Sequence, residues 1–291
     1  MKLSSIHILL TYQCTLECDH CFVWGSPWQS GTLTRSQIRF ILAQAKETNG
    51  ITSVYFEGGE PFLYYAVLLS GVRTAVEMGF RVGIVSNAYW ATSAEDARTV
   101  LQPFAGLLTD ITLSADLYHS SDPGAAQVHH ALQAAATLGI TTATIRIPQP
   151  EDSSTEEGTL MYRGRAAQKL AGRASHLLPW DRWVRCPYED LCDPGRIHVD
   201  PLGNLHICQG ISIGNLFQEP LQEICARYDP EANAVVRVLL EGGPAALMRE
   251  FSLPHQDGYA DACQACFEGR LALRDRFPAV LTPDQMYCSA S

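Results

Sequence analysis

Cys14-Thr15-Leu16-Glu17-Cys18-Asp19-His20-Cys21 comes shortly after an apolar run, Ile6-His7-Ile8-Leu9-Leu10. The run has the length and β-branched content of a strand, which puts the cysteines in the loop that follows it. A C-x3-C-x2-C loop can wrap three thiolates around one corner of a four-iron cube. The fourth iron is then open to a small molecule carrying both an amine and a carboxylate. Zinc is the other candidate occupant. It takes four ligands in a closed structural shell, and His20 stands ready as the fourth.

Downstream, short β-rich runs alternate with helical patterns. Thr34 fits the N-cap of a helix over 35–48 that ends near Gly50. Strands are predicted at 52–56, 81–86, 110–114 and 142–147, with helices at 63–78, 93–102 and 124–138 between them. This rhythm predicts an α/β fold with a mostly parallel sheet and right-handed crossovers. Active groups then belong at the carboxyl ends of the strands. Residues 149–160 are polar and loop-like, and 161–174 read as helical. After Pro179 the texture changes to short runs rich in glycine, proline and cysteine. A hairpin is predicted at 196–207, where Pro201, Gly203 and Asn204 supply the turn, with helices at about 217–227, 231–240 and 244–250. The chain is therefore expected to divide into 1–178 and 179–291.

With 291 residues, 46% of them apolar, the chain can bury a substantial core plus a smaller lobe. A net charge of -10 argues against nucleic acid as a partner. No apolar stretch approaches the ~20 residues that span a bilayer, and the start lacks a signal-peptide pattern. The expectation is a cytoplasmic protein with no membrane contact. There, ten cysteines read as metal or cluster ligands rather than disulfides. Cys14, Cys18 and Cys21 form one group; Cys186, Cys192, Cys208, Cys263, Cys266 and Cys288 form another. Cys225, alone in a helical stretch, reads as a small buried hydrophobe.

The second strand ends in Glu57-Gly58-Gly59-Glu60-Pro61. Paired glycines let the backbone approach a ligand closely, and Glu60 can fix a charged group beside it. Ser86-Asn87 and Ser114-Ala115-Asp116 end the next two strands, with short polar side chains suited to ribose hydroxyls or an amino-acid head. Each also fits a cap or turn role. Arg146, near the end of the fifth strand, can meet a carboxylate. Tyr118, His119, Arg163 and Arg165 are candidate substrate contacts, with His119 a candidate base at neutral pH. Trp24 and Trp28 can cap the site or pack under the second lobe.

Through Cys14, Cys18 and Cys21 together with Gly58-Gly59-Glu60-Pro61, the chain resembles the radical S-adenosylmethionine (SAM) enzymes. The resemblance implies a partial (β/α) barrel of five or six parallel strands and a [4Fe–4S] cluster whose unique iron chelates the methionine part of S-adenosylmethionine. It implies reductive cleavage of that cofactor to methionine and a 5′-deoxyadenosyl radical that abstracts a substrate hydrogen. A flavodoxin- or ferredoxin-type protein would donate the electron. By the same resemblance Gly59 and Glu60 engage the methionine amine, while Asn87 and Ser114 line the nucleoside side; Gly58, Asp116 and Arg146 are further candidate cofactor contacts. His20 stands where the family usually has an aromatic residue.

In the back half, Cys192 and Cys208 flank Gly203 in a C-x10-G-x4-C pattern, followed by Gly214-Asn215-Leu216 and by Cys263-x2-Cys266. On spacing alone a zinc ribbon fits equally well. Together with the front loop, the pattern resembles the auxiliary-cluster domains called SPASM or, when shortened, twitch. After Cys266 only Cys288 remains, so the single-cluster twitch form is the better match. Cys192, Cys208, Cys263 and Cys266 are the expected ligands, and Cys186 is a competitor. The short core resembles that of 2-deoxy-scyllo-inosamine dehydrogenase. An auxiliary cluster closed by four thiolates can pass electrons, so the expected reaction is a net oxidation of a small polar metabolite. The alternative is a maturase that oxidises or crosslinks a ribosomal peptide. Gln209, however, stands where some peptide-oxidising relatives place an Asp base. A zinc-binding structural protein is the non-enzymatic alternative.

Overall fold

The structure, a computed structural model, describes residues 1–119, 126–152 and 158–287; Cys288 lies outside the described residues. Strands and helices alternate through the first half as β1 Ser5–Thr11, α1 Arg35–Glu47, β2 Ser53–Gly58, α2 Tyr65–Glu77, β3 Arg81–Ser86, α3 Ala94–Leu101, β4 Asp110–Ser114, α4 Ala126–Thr137 and β5 Thr141–Ile145. Local chemistry sets the starts. Thr34 and Gln37 form a capping box on α1, and Ser93 accepts from Asp96 N on α3. α2 begins later than the sequence predicts, because Pro61–Tyr64 first makes a 3-10 turn capped by the Glu60 carboxylate.

The second half adds α5 Arg165–Lys169, β6 Leu178–Pro179, β7 Arg196–Val199, β8 Asn204–Cys208, β9 Ile211–Asn215, α6 Leu221–Arg227, α7 Ala234–Glu250, β10 Gly258–Tyr259 and α8 Ala262–Ala272. Of the helix predicted over 161–174, only α5 and a 3-10 turn at Ala171–Arg173 form. Gly164 interrupts it at φ 58°, with its backbone pressed against Cys21 and Phe22. The two helices predicted over 231–250 are one element broken at Gly242-Gly243. α8, which the sequence reading missed, is capped by Asp261 and carries Cys263 and Cys266 in its first turns.

One sheet of eight strands runs in the order β5-β4-β3-β2-β1-β7-β8-β9. β1 to β5 are parallel, as the alternation predicts. The sixth parallel strand comes from the second half: β7 pairs with β1 from Ser5↔Arg196 to Ile8↔Val199. The predicted hairpin therefore exists, but its first strand is part of the barrel sheet, which continues through β8 and β9 toward the back cysteines. Ile6, Ile8, Val54, Phe56 and Ile84 are fully buried. Phe56 packs on Gly71 of α2 and holds that helix close. Each such burial contributes roughly 1.5–3 kcal/mol. Among the described residues no helix is long and apolar enough to cross a membrane.

Candidate functional site

The cysteine loop rises from the end of β1 and rests on the end of β2. Gly59 N donates to Thr11 O (2.7 Å) and Glu60 N to Gln13 O (2.9 Å). A Cβ at Gly59 would collide with the Gln13 carbonyl, and Gly58 sits at φ 135°, so this approach needs both glycines. Within the loop Cys14 N donates to Ser26 O (3.0 Å), and Gly25 N points at Cys21 Sγ (3.2 Å). Arg165 fastens it from the other side. Its guanidinium donates to Cys18 O (2.7 Å) and Gly25 O (3.0 Å) and lies over the Trp24 ring. Arg165 thus positions the loop and is not the substrate contact suggested by sequence. Trp24 packs under the second half, donating to Met286 O, while Trp28 is 84% exposed.

A cavity of about 310 Å³ opens at this end of the barrel, walled by Cys14, Cys18, Cys21, Gly58, Gly59, Ser86, Asn87, Ser114 and His119. Asn87 Nδ2 donates to Thr15 Oγ1 (3.0 Å) and reaches Cys14 Sγ at 3.5 Å. Burial pushes the Cys14 thiol up to about 11 and the Cys18 thiol higher still. Such thiols keep their protons until a metal displaces them. Three converging thiols, a glycine cradle and polar strand ends fit an iron–sulfur cluster that also holds an amino-acid cofactor. His20 stands apart from the three thiols, its ring packed at a tilt on Tyr118 (centroids 4.5 Å) and edge-on to His119 (5.1 Å).

Two candidate residues turn away from the cavity wall. The Glu60 carboxylate is fully buried and accepts from Phe62 N (3.0 Å), Asn87 N (2.8 Å) and Ser86 Oγ (3.0 Å). Burial outweighs these bonds and holds it up to about 7. Asp116 accepts from Tyr118 N (3.0 Å) and Ile147 N (3.1 Å) and lies 2.7 Å from His119 Nδ1. Burial alone would raise the Asp116 carboxyl, but His119 brings it below its ordinary value. Glu60 and Asp116 thus support the wall residues Asn87 and His119. Arg146 is exposed, between Ile145 and Ile147, which line the cavity.

A second, smaller cavity is lined by Cys186, Cys208, Cys263 and Cys266. Cys192 is not among them: it is exposed, near Tyr228. The expectation placed Cys192 in this group, and the fold instead brings Cys186. Arg163 and Arg270, both buried, face the same cavity. Arg163 Nη1 lies 3.8 Å from Cys208 Sγ and 3.5 Å from Glu189, and Arg163 also lines the front cavity. Arg270 Nη1 donates to Gln209 O (2.8 Å) and Tyr287 Oη (3.1 Å), and its Nε has no partner. Two buried guanidinium groups face these cysteines, with Glu189 and Asp261 as nearby carboxylates, and further negative charge at the thiols would balance them. Four thiolates around iron supply it, so the back residues fit an iron–sulfur cluster. Sequence reading missed Arg270, which sits one helical turn after Cys266 on α8. Recognising that helix would have pointed to it. Cys225 is buried in α6, as predicted.

Residues 8–145 match the Radical SAM superfamily model. Its fold, a partial barrel with a twitch-like auxiliary region, resembles the structure of BtrN in complex with AdoMet and 2-DOIA. The TM-score is 0.57 and the identity 15%, over 82% of this chain and 88% of that one. Streptococcus suis SuiB bound to its precursor peptide SuiA aligns at a TM-score of 0.49 and 14% identity, over 91% of this chain and 76% of that one. Among curated proteins, "Putative peptide biosynthesis protein YydG" of Bacillus subtilis (strain 168) is 26% identical over 117 residues, 40% of this chain. That match spans only 37% of the relative's length.

Proposed function

We propose that this chain is a radical S-adenosylmethionine oxidoreductase acting on a ribosomally made peptide. The observation that carries the radical chemistry is the convergence of Cys14, Cys18, Cys21, Gly58, Gly59 and Asn87 on one cavity. When bound, the main cluster and S-adenosylmethionine supply a 5′-deoxyadenosyl radical for hydrogen abstraction. In this reading Cys14, Cys18 and Cys21 hold the main cluster, Gly58 and Gly59 accept the methionine end, and Ser114 and Asn87 border the nucleoside. His119, oriented by Asp116, is placed to take up a proton from the substrate. Cys186, Cys208, Cys263 and Cys266 hold the auxiliary cluster, with Arg163 between the two cavities. A flavodoxin- or ferredoxin-type donor would supply electrons.

The peptide substrate is favoured over a small metabolite by the curated relative, whose name places it in peptide biosynthesis. A small polar metabolite is the second reading, which the BtrN-like fold suggests by analogy alone. The test is anaerobic reconstitution, then incubation with reductant, S-adenosylmethionine and peptides encoded beside this gene. A peptide that loses two hydrogens as 5′-deoxyadenosine accumulates supports the proposal. Cofactor cleavage that no peptide stimulates, with turnover of a polyol or aminocyclitol, favours the metabolite instead.

A further inference from the structure

On the concave side of the sheet, three adjacent strands bring together side chains that the chemistry above does not use. His7 on β1 is paired in register with His198 on β7 and with Tyr55 on β2. Glu57 stands two residues beyond Tyr55, on the same face of β2 and on the wall of the front cavity. His7 Nδ1 lies 3.4 Å from one Glu57 carboxylate oxygen, and His198 Nε2 lies 3.2 Å from the other. One ligand atom from each of the three residues falls within 4.8 Å of the others.

The geometry points to a mononuclear site for a divalent transition-metal ion, formed by His7, Glu57 and His198, with an open position facing the front cavity. Distance decides between an ion and a plain hydrogen-bond network. Charge-assisted N–H···O bonds close to about 2.7–2.9 Å, and both contacts are longer. Ligand atoms bound at about 2.0–2.1 Å around a tetrahedral ion stand roughly 3.3–3.4 Å apart, a spacing that one donor atom from each of the three residues, within 4.8 Å of the other two, approaches. His7 Nδ1 and Glu57 Oε1 are buried, and no well-aligned hydrogen bond satisfies either atom.

The ligand chemistry agrees. Two imidazoles and one carboxylate form a common donor set for zinc and iron(II). The His7 ring is stacked on Tyr55 (centroids 5.0 Å apart), and Tyr55 in turn donates to Asp110 (3.1 Å), so the ligand is held from behind. All three donors stand on strands, which fixes their spacing.

The test uses reconstituted holoenzyme, in which iron–sulfur clusters occupy the cysteines. It is equilibrated with Zn²⁺, desalted, and examined by elemental analysis and zinc-edge X-ray absorption. The expected result is one retained zinc per chain with a shell of nitrogen and oxygen only. Glu57→Gln and His198→Gln should each weaken retention at least about tenfold while leaving iron content unchanged. No retained zinc, a shell containing sulfur, or equal retention by His198→Gln would overturn the site. If a variant loses iron, His7→Gln takes its place, and the wild-type shell decides in any case. Iron content in the same samples reports separately on the cluster assignment.

Discussion

Cys186 and Cys192 differ by six positions, yet only the first faces the other back cysteines. Cys186→Ser should therefore lower iron from about eight to about four per chain, the content of one four-iron cluster instead of two. Cys192→Ser should leave iron unchanged, and inductively coupled plasma analysis reads both. The sequence could not separate the two, because 183–195 is irregular, with no period to say which side chain points inward. At Glu60 the consequence is pH dependence. Its folded pKa of about 7 lies above the ordinary 4.5, so protonation favours the folded state. That stabilisation is full below about pH 4.5 and is lost as pH rises through about 7, a difference of about 3 kcal/mol. Urea unfolding of metal-free wild type and Glu60→Gln from pH 5 to 8 should show a falling slope in the first and not in the second.

At the level of elements, the cysteine loop is held by a residue far away in sequence, Arg165 at the start of α5. Arg165→Met would leave the Cys18 and Gly25 carbonyls without their buried donor, and the expected loss is about 2–4 kcal/mol of stability. Thermal melting of the metal-free protein checks this, and cluster yield should fall with it. The helices of the first half were legible because their caps are local: Thr34 with Gln37, and Ser93 with Asp96. Residues 161–164 were not, because Gly164 takes its left-handed turn to meet Phe22, more than a hundred residues upstream. α8 was missed for a different reason. Its C-x2-C read as a ligand pair, which masked the helix start capped by Asp261.

Over the whole molecule, the sheet ignores the division that the texture change near residue 178 suggests. β7 covers the edge of β1, so a fragment of residues 1–178 would expose a flat, apolar parallel edge. We expect that fragment to aggregate while the full chain stays monodisperse, as light scattering would show. Nothing in the sequence around 196–199 announced this pairing, since strand partners this far apart are chosen by the completed core. The buried arginines act at the same scale through charge. Arg270→Met should lower the midpoint potential of the auxiliary cluster by on the order of 100 mV, measured by EPR-monitored titration. The continuous sheet has one more consequence. Cys14 follows the end of β1 and Cys208 closes β8, two strands away in the same hydrogen-bonded sheet. If these two cysteines hold clusters as proposed, part of the framework between the clusters is one rigid sheet, laid down as the chain folds.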